Sequence, residues 1–256
     1  MPRRWSTVDS STPTAAQAAE RVGPLADGLD VLIRFHDREV DAELLGELAR
    51  YDIAAGLVGL FQGPAGQAAA SDLKAALDNL GISPPAEALD ALAIDYADLF
   101  LTHAYRVSPS ASVWLTEDRL ERQMPMFDVR DWYEHYHVSV PNWRIRADDH
   151  LVHELQFVTH LCRLGGEVAL ADAGRFLDLH VLPWAPEFCR RAAERVREPL
   201  YRAVMQLTLA ALEDLRQTLE EATGKPRQVR EALPLDTQRT PDPEDVAYMP
   251  GVAESW

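Results

Sequence analysis

The sequence predicts an all-α protein with helix packed on helix, in one domain or two closely packed lobes. Three observations carry that expectation. Apolar residues recur three and four apart in segment after segment, the spacing of one buried helical face. No stretch alternates with the period of two that a half-buried strand requires. Gly and Pro punctuate the periodic segments at helix-like intervals and mark no repeat of solenoid length.

Residues 1–20 are polar and rich in Ser, Thr and Ala, and read as a flexible leader. A short helix is expected near Leu25–Phe35. The first firm helix is expected over 42–62, where Leu44, Leu48, Tyr51, Ala55, Val58 and Phe61 share a stripe, with Gly63-Pro64 as its stop. Ser71 is placed to cap the next helix and Gly81 to close it. Pro84-Pro85 opens a longer one, about 86–104, followed by a loop from Tyr105 to Trp114. Pro125 interrupts the helical pattern that begins near Thr116, and Asp128 is placed to cap 128–138. A connector, with a possible hinge at 139–148, leads into a strongly periodic helix over 149–164 that Gly165-Gly166 ends. Further helices are expected around GRFLDLHVL, in WAPEFCRRAAERV after Pro183, and over 200–222 after a break at Pro199. The chaining of these elements sets the helical domain at 21–224, with 225–256 as an irregular tail that docks, if anywhere, near Val246–Met249.

Composition narrows the function. The chain has 256 residues, 47% of them hydrophobic, enough for a core without a metal or disulfide. Its 41 acidic and 25 basic residues give a net charge of -16, which disfavours nucleic acid and anionic membrane surfaces and favours basic partners. The two cysteines, Cys162 and Cys189, fall inside helical patterns and form no zinc or disulfide framework. The two arginines near the N-terminus precede no apolar run, so a secretory signal is not expected. No segment reaches the roughly 18 apolar residues of a membrane span, and stable membrane insertion is not expected. The expected location is the cytoplasm.

Motifs for catalysis are missing: the sequence has no nucleophile elbow, phosphate-binding loop or dinucleotide fingerprint. His150, His153 and Glu154 share one side of a helix and His160 follows a further two turns on, but no recognised zinc spacing is completed. Capping of the helix by Asp148 or Asp149 explains the same residues without a metal. Trp114, Trp132, Tyr133, Tyr136, Trp143 and Trp184 cluster at helix ends and connectors, where aromatic rings either fill a core or line a groove for a peptide. The residues thus point to a protein without cofactor or metal that binds a peptide both basic and apolar. A helical scaffold for a different folded partner, or a histidine-based metal enzyme, are the alternatives.

The segment RADDHLVHELQFVTHLCRL, 146–164, resembles the signature of the TorD/DmsD/NarJ family of redox-enzyme maturation chaperones for molybdopterin oxidoreductases. Asp149 and His150 match its Asp-His pair, and Leu151, Glu154, Leu155, Phe157 and Leu161 match the helix after it. Arg146 and Ala147 stand where the family has Glu and Pro, and Val158 where it has Met. Residues 94–118 and 176–192, the latter with His180, Trp184 and Phe188, are similar to two further family segments in the same order. The resemblance implies a single globular all-α domain of about ten helices, a TorD-like helical bundle, and a cytoplasmic chaperone, not an enzyme. Its partner would be the catalytic subunit of a molybdopterin oxidoreductase, recognised through an N-terminal leader of twin-arginine type or a vestigial equivalent. It would assist folding and molybdenum cofactor insertion before assembly or export. Asp149 and His150 would belong to the peptide-binding or hinge region, and Glu154, Trp114, Tyr136, Trp143, His180 and Trp184 would surround it. The guanidinium of Arg146 is placed to pair with Asp149.

Overall fold

The computed structural model describes residues 14–61, 63–102, 105 and 107–229. Among them are eleven α-helices and two short π-helical segments, with no strand beyond one antiparallel bridge between Ser110 and His150. The all-α bundle expected from the periodicity is what the chain forms.

The N-terminal helix is longer than the sequence indicates. α1 runs Ala15–Asp37 and so takes in residues read as leader. Thr14 starts it with a reciprocal capping box: its hydroxyl accepts from the Gln17 N–H, and its own N–H donates to Gln17 Oε1. Pro24 lies inside the helix and removes one backbone donor. The helix survives because one face, Val22 through Phe35, is buried along its length. The first thirteen residues, residues 230–256 and with them Val246–Met249 lie outside the described residues.

The expected helix over 42–62 is two helices, α2 (Ala42–Arg50) and α3 (Ile53–Leu60). The chain turns between them at Asp52, whose φ of 49° is left-handed, a conformation Asp tolerates better than most residues. The break lets α3 reach α1. A Cβ on Gly28 of α1 would lie 2.3 Å from a Leu60 methyl, so any larger residue there would make the Leu60 side chain move aside. α4 spans Pro64–Leu80. Pro64 opens it, since a first-turn residue needs no N–H partner, and Ser71 is an interior residue that donates to the Gln67 carbonyl instead of capping.

α5 (Ala86–Tyr96) widens into a π-helical turn, π1 (Ala97–Leu101). A short α6 (Ala111–Leu115) occupies part of the expected loop. α7 begins earlier than Asp128, at Met124, and runs to His135 with Pro125 in its first turn rather than as a break. α8 (Leu151–Leu164) is the periodic helix foreseen at 149–164. α9 (Gly166–Phe176) follows directly and widens into π2 (Leu177–Val181). α10 covers Ala185–Arg195 and α11 Pro199–Thr223.

The core forms around α11, against which α1, α4, α9 and α10 pack, while α1 also packs on α8. Two buried charges position these helices. Asp95, fully buried, accepts from the Tyr105 hydroxyl and from the backbone N–H groups of Arg197 and Glu198, the open end of α11. Arg216 of α11 makes a bidentate pair with Asp178 of π2 at 2.7 and 2.9 Å, and Asp178 also holds the Gln228 N–H. The pair and its added backbone bond meet the condition under which a buried ion pair is tolerated.

Candidate functional site

The segment that leads into α8 is fixed from three sides. The Ala111 N–H donates to the Asp149 carbonyl and the Leu151 N–H to the Pro109 carbonyl, the two bonds that close the bridge. The Tyr133 hydroxyl of α7 donates to the Asp148 carbonyl, and Arg130 pairs with the Asp148 carboxylate at 2.7 Å. Arg146 reaches α1, where it pairs with the Asp37 carboxylate at 2.5 Å and also donates to the Asp37 carbonyl.

Arg146 therefore does not pair with Asp149. The Asp149 side chain is fully buried and turned toward α6, where its Oδ2 accepts both the backbone N–H and the hydroxyl of Ser112. Burial raises its pKa, and the two Ser112 bonds oppose that rise. Capping of α8 falls to His150, not to Asp148 or Asp149: its Nδ1 accepts from the Val152 N–H at 3.1 Å. Glu154, also fully buried, accepts from the Trp184 indole N–H at 3.1 Å. Asp149, His150, Glu154 and Trp184 thus form a polar seam inside the bundle. Trp184 is 1% exposed and stands in the core beside Phe188, not on a groove.

The other expected residues stand apart. Trp114 donates to the Ser108 carbonyl, and the Arg191 guanidinium lies over its ring. Trp143 is half-buried between the guanidinium groups of Arg130 and Arg144, 5.3 and 4.9 Å from the ring centre. Tyr136 donates to Asp172 at 2.6 Å, and its pKa is pushed up to about 12, by burial first and by that carboxylate second. His180 packs on Phe176 and Trp132 and borders a cavity of about 400 Å³ with Trp132, His135 and Asp172.

The feature with ligand-binding character is a cavity of about 390 Å³ between the connector and α8. Val138, Val140 and Pro141 form one wall, and His153, Gln156 and His160 of α8 form the other. Tyr133 and Phe157 lie at its floor, and the Arg146–Asp37 pair closes one end. His153 is the polar group most suited to a ligand. Its Nε2 is covered but has no hydrogen-bond partner among the described residues. Burial lowers its pKa below the usual imidazole value, which favours the neutral ring at neutral pH. A neutral imidazole can either donate to or accept from a peptide group.

None of the eight residues expected to bind the peptide lines this cavity, whereas Tyr133, His153 and His160, noted in the sequence as an aromatic at a helix end and as histidines of one helix, do line it, and Asp149 and His150 fix the entry to α8 behind it. A signal for it was present. Positions 153, 156 and 160 follow the three-and-four spacing on the side of α8 away from its apolar stripe, and they face an apolar Val-Ser-Val-Pro run. Among the described residues no three His, Cys, Asp or Glu side chains converge as metal ligands. The rings of His150 and His153 are 6.1 Å apart. No helix among the described residues is long and apolar enough to cross a membrane.

Comparison with known proteins adds the lineage. A family model described as nitrate reductase delta subunit matches residues 59–190, just over half of the chain. A chaperone protein TorD of Vibrio vulnificus strain YJ016 is 29% identical over 182 residues, 68% of this chain and 84% of that protein. Another, from Vibrio cholerae strain ATCC 39541, is 30% identical over 139 residues, 51% of this chain and 63% of its own. One from Aliivibrio salmonicida is 28% identical over 131 residues, 48% and 61% of the two chains. The matched span contains both walls of the cavity and the seam behind it.

Proposed function

The chain belongs to the nitrate reductase delta subunit family, and from that premise we propose that it is a cytoplasmic chaperone for the catalytic subunit of a molybdopterin oxidoreductase. It binds the N-terminal leader of that subunit and assists folding and cofactor insertion before assembly or export. The likeness to proteins named chaperone protein TorD supports the class. The observation that carries leader binding is the cavity against α8, where an unpartnered imidazole nitrogen stands over an apolar floor.

A leader offers backbone amides and an apolar stretch. The amides find the His153 ring, and the apolar side chains find Val138, Val140 and Phe157. Removing about 200 Å² of apolar surface from water there is worth roughly 5 kcal/mol before the cost of ordering the peptide. The acidic surface attracts the arginines on approach. The connector at 139–148 acts as the hinge that admits the leader, with the Arg146–Asp37 pair as its latch.

Calorimetric titration with leader peptides of molybdoenzyme catalytic subunits tests the reading. Binding at one-to-one stoichiometry is expected. Val140→Asp, at a half-buried connector position, is expected to weaken it at least tenfold with the helical circular dichroism unchanged. If folded protein binds neither any leader nor any such catalytic subunit, the function is wrong. If it binds and Val140→Asp binds equally well, the function stands but the cavity does not.

A further inference from the structure

A second groove, of about 550 Å³, runs between α1, the start of α4 and α11. Phe61, Pro64, Leu209 and Ala210 give it an apolar surface, and Glu213, Asp214 and Glu221 line it with carboxylates. Arg21 is the cation in its wall, 3.1 Å from Asp214 and 4.0 Å from Glu221, and Arg227 pairs with Glu213 from beside the groove at 2.8 Å. Glu221 Oε2 is covered and accepts no hydrogen bond among the described residues. With Asp214 paired to Arg21 and Glu213 to Arg227, the groove keeps one carboxylate in excess, Glu221, beside an apolar floor.

We propose that the chain's own N-terminal segment, residues 1–13, folds back from Thr14 and docks in this groove. Charge selects that occupant. The segment carries Arg3 and Arg4 against one acid, Asp9, and Trp5 directly follows the arginines. The segment at the other end, 230–256, has six acidic residues against two arginines, so the same carboxylates repel it. Trp5 suits the Phe61–Leu209 floor, and the arginines suit Glu221.

Reach agrees. α1 and α11 run antiparallel, since Arg21 meets Asp214 and Glu221 whereas His36, further along α1, meets Thr208. The groove therefore starts about 10 Å along α1 from Thr14 and extends about 22 Å, from Glu221 to Gln206 along α11. Nine residues of extended chain between Trp5 and Thr14 span up to about 30 Å.

The test places a photo-crosslinker in the full-length protein as Trp5→p-benzoylphenylalanine and maps the products by mass spectrometry. Crosslinks within one molecule to residues 61–66 or 206–221 are expected. Their yield should fall at least fivefold in 1 M salt and in the Arg3→Glu/Arg4→Glu background. A mixture of isotopically light and heavy chains separates contacts within one molecule from contacts between two. Crosslinks to the connector or α8, crosslinks between molecules, a yield insensitive to both charge reversal and salt, or no crosslink at all would each overturn the proposal.

Discussion

Asp149 and Ser112, 37 residues apart in the chain, are joined twice through one oxygen: Asp149 Oδ2 accepts the Ser112 amide at 2.7 Å and its hydroxyl at 2.5 Å. The carboxylate ties the start of α6 to the entry of α8 without facing solvent. Asp149→Ala is expected to lower stability by about 1–3 kcal/mol, because the Ser112 donors lose a buried acceptor. Chemical denaturation measures it. The loss should persist in the absence of any peptide, whereas a residue that only contacts a ligand would leave the free protein's midpoint unchanged.

Arg146 and Asp37 make a partly exposed pair, so its net contribution to stability is small, under about 1 kcal/mol. Its effect on the connector is local. Arg146→Ala is expected to speed amide hydrogen exchange across 139–147 several-fold while exchange in α11 stays as it was. Uniform acceleration through the whole chain would show that the pair holds the global fold instead.

His36 is fully buried with Nε2 2.8 Å from the Thr208 hydroxyl and its edge toward Phe100, and burial lowers its pKa from 6.5 to about 3. The folded state therefore binds this proton less readily than the unfolded state. Stability from this group is fully present above pH 6.5 and is lost as pH falls toward 3, about 2 kcal/mol of it by pH 5. His153, also lowered, acts in the same direction, while Asp149, whose pKa is raised, opposes it near the carboxylate range. His36→Gln should flatten the decline in denaturation midpoint between pH 7 and 5, and an unchanged slope would remove His36 as its source.

His137 follows α7 with φ at 56°, in the left-handed region. Its side chain is exposed, and its N–H donates to the Glu134 carbonyl, a bond glycine keeps. His137→Gly is expected to raise stability by up to about 1 kcal/mol, because the side chain's steric cost at this turn disappears and only part of that gain is offset by the freer unfolded chain. Thermal melts of the two proteins compare them directly.

Most helices were legible because burial imposes one period on them, as in α8 with Leu151, Leu155, Val158 and Cys162. The junctions were less so. Asp52 splits one expected helix because the chain must turn to bring α3 against Gly28, a tertiary demand with no local mark. Pro64, Pro125 and Pro199 each begin a helix, and a proline reads alike as a stop or a start until its neighbours are placed. At the site, the Asp-His-Leu segment was identifiable, but the direction of its side chains was not. Asp149 turns inward because Ser112 offers two donors there, and Glu154 because Trp184 supplies an indole N–H. The wall formed by Val138, Val140 and Pro141 depends on how the connector lies over α8, which periodicity does not encode.

Asp95 holds the two amides that lead into α11, the first of them 102 residues downstream. On a ribosome adding roughly 5–20 residues per second, that carboxylate emerges about 5–20 s before the amides it serves. Throughout that interval α1 and α4 lack the helix they share, and the faces they will turn to it are open to water or to other chains. The finished bundle therefore assembles late, as its final long helix is released. Slowing translation just after Glu198 would prolong the vulnerable interval, and shortening α11 at its far end would make it permanent.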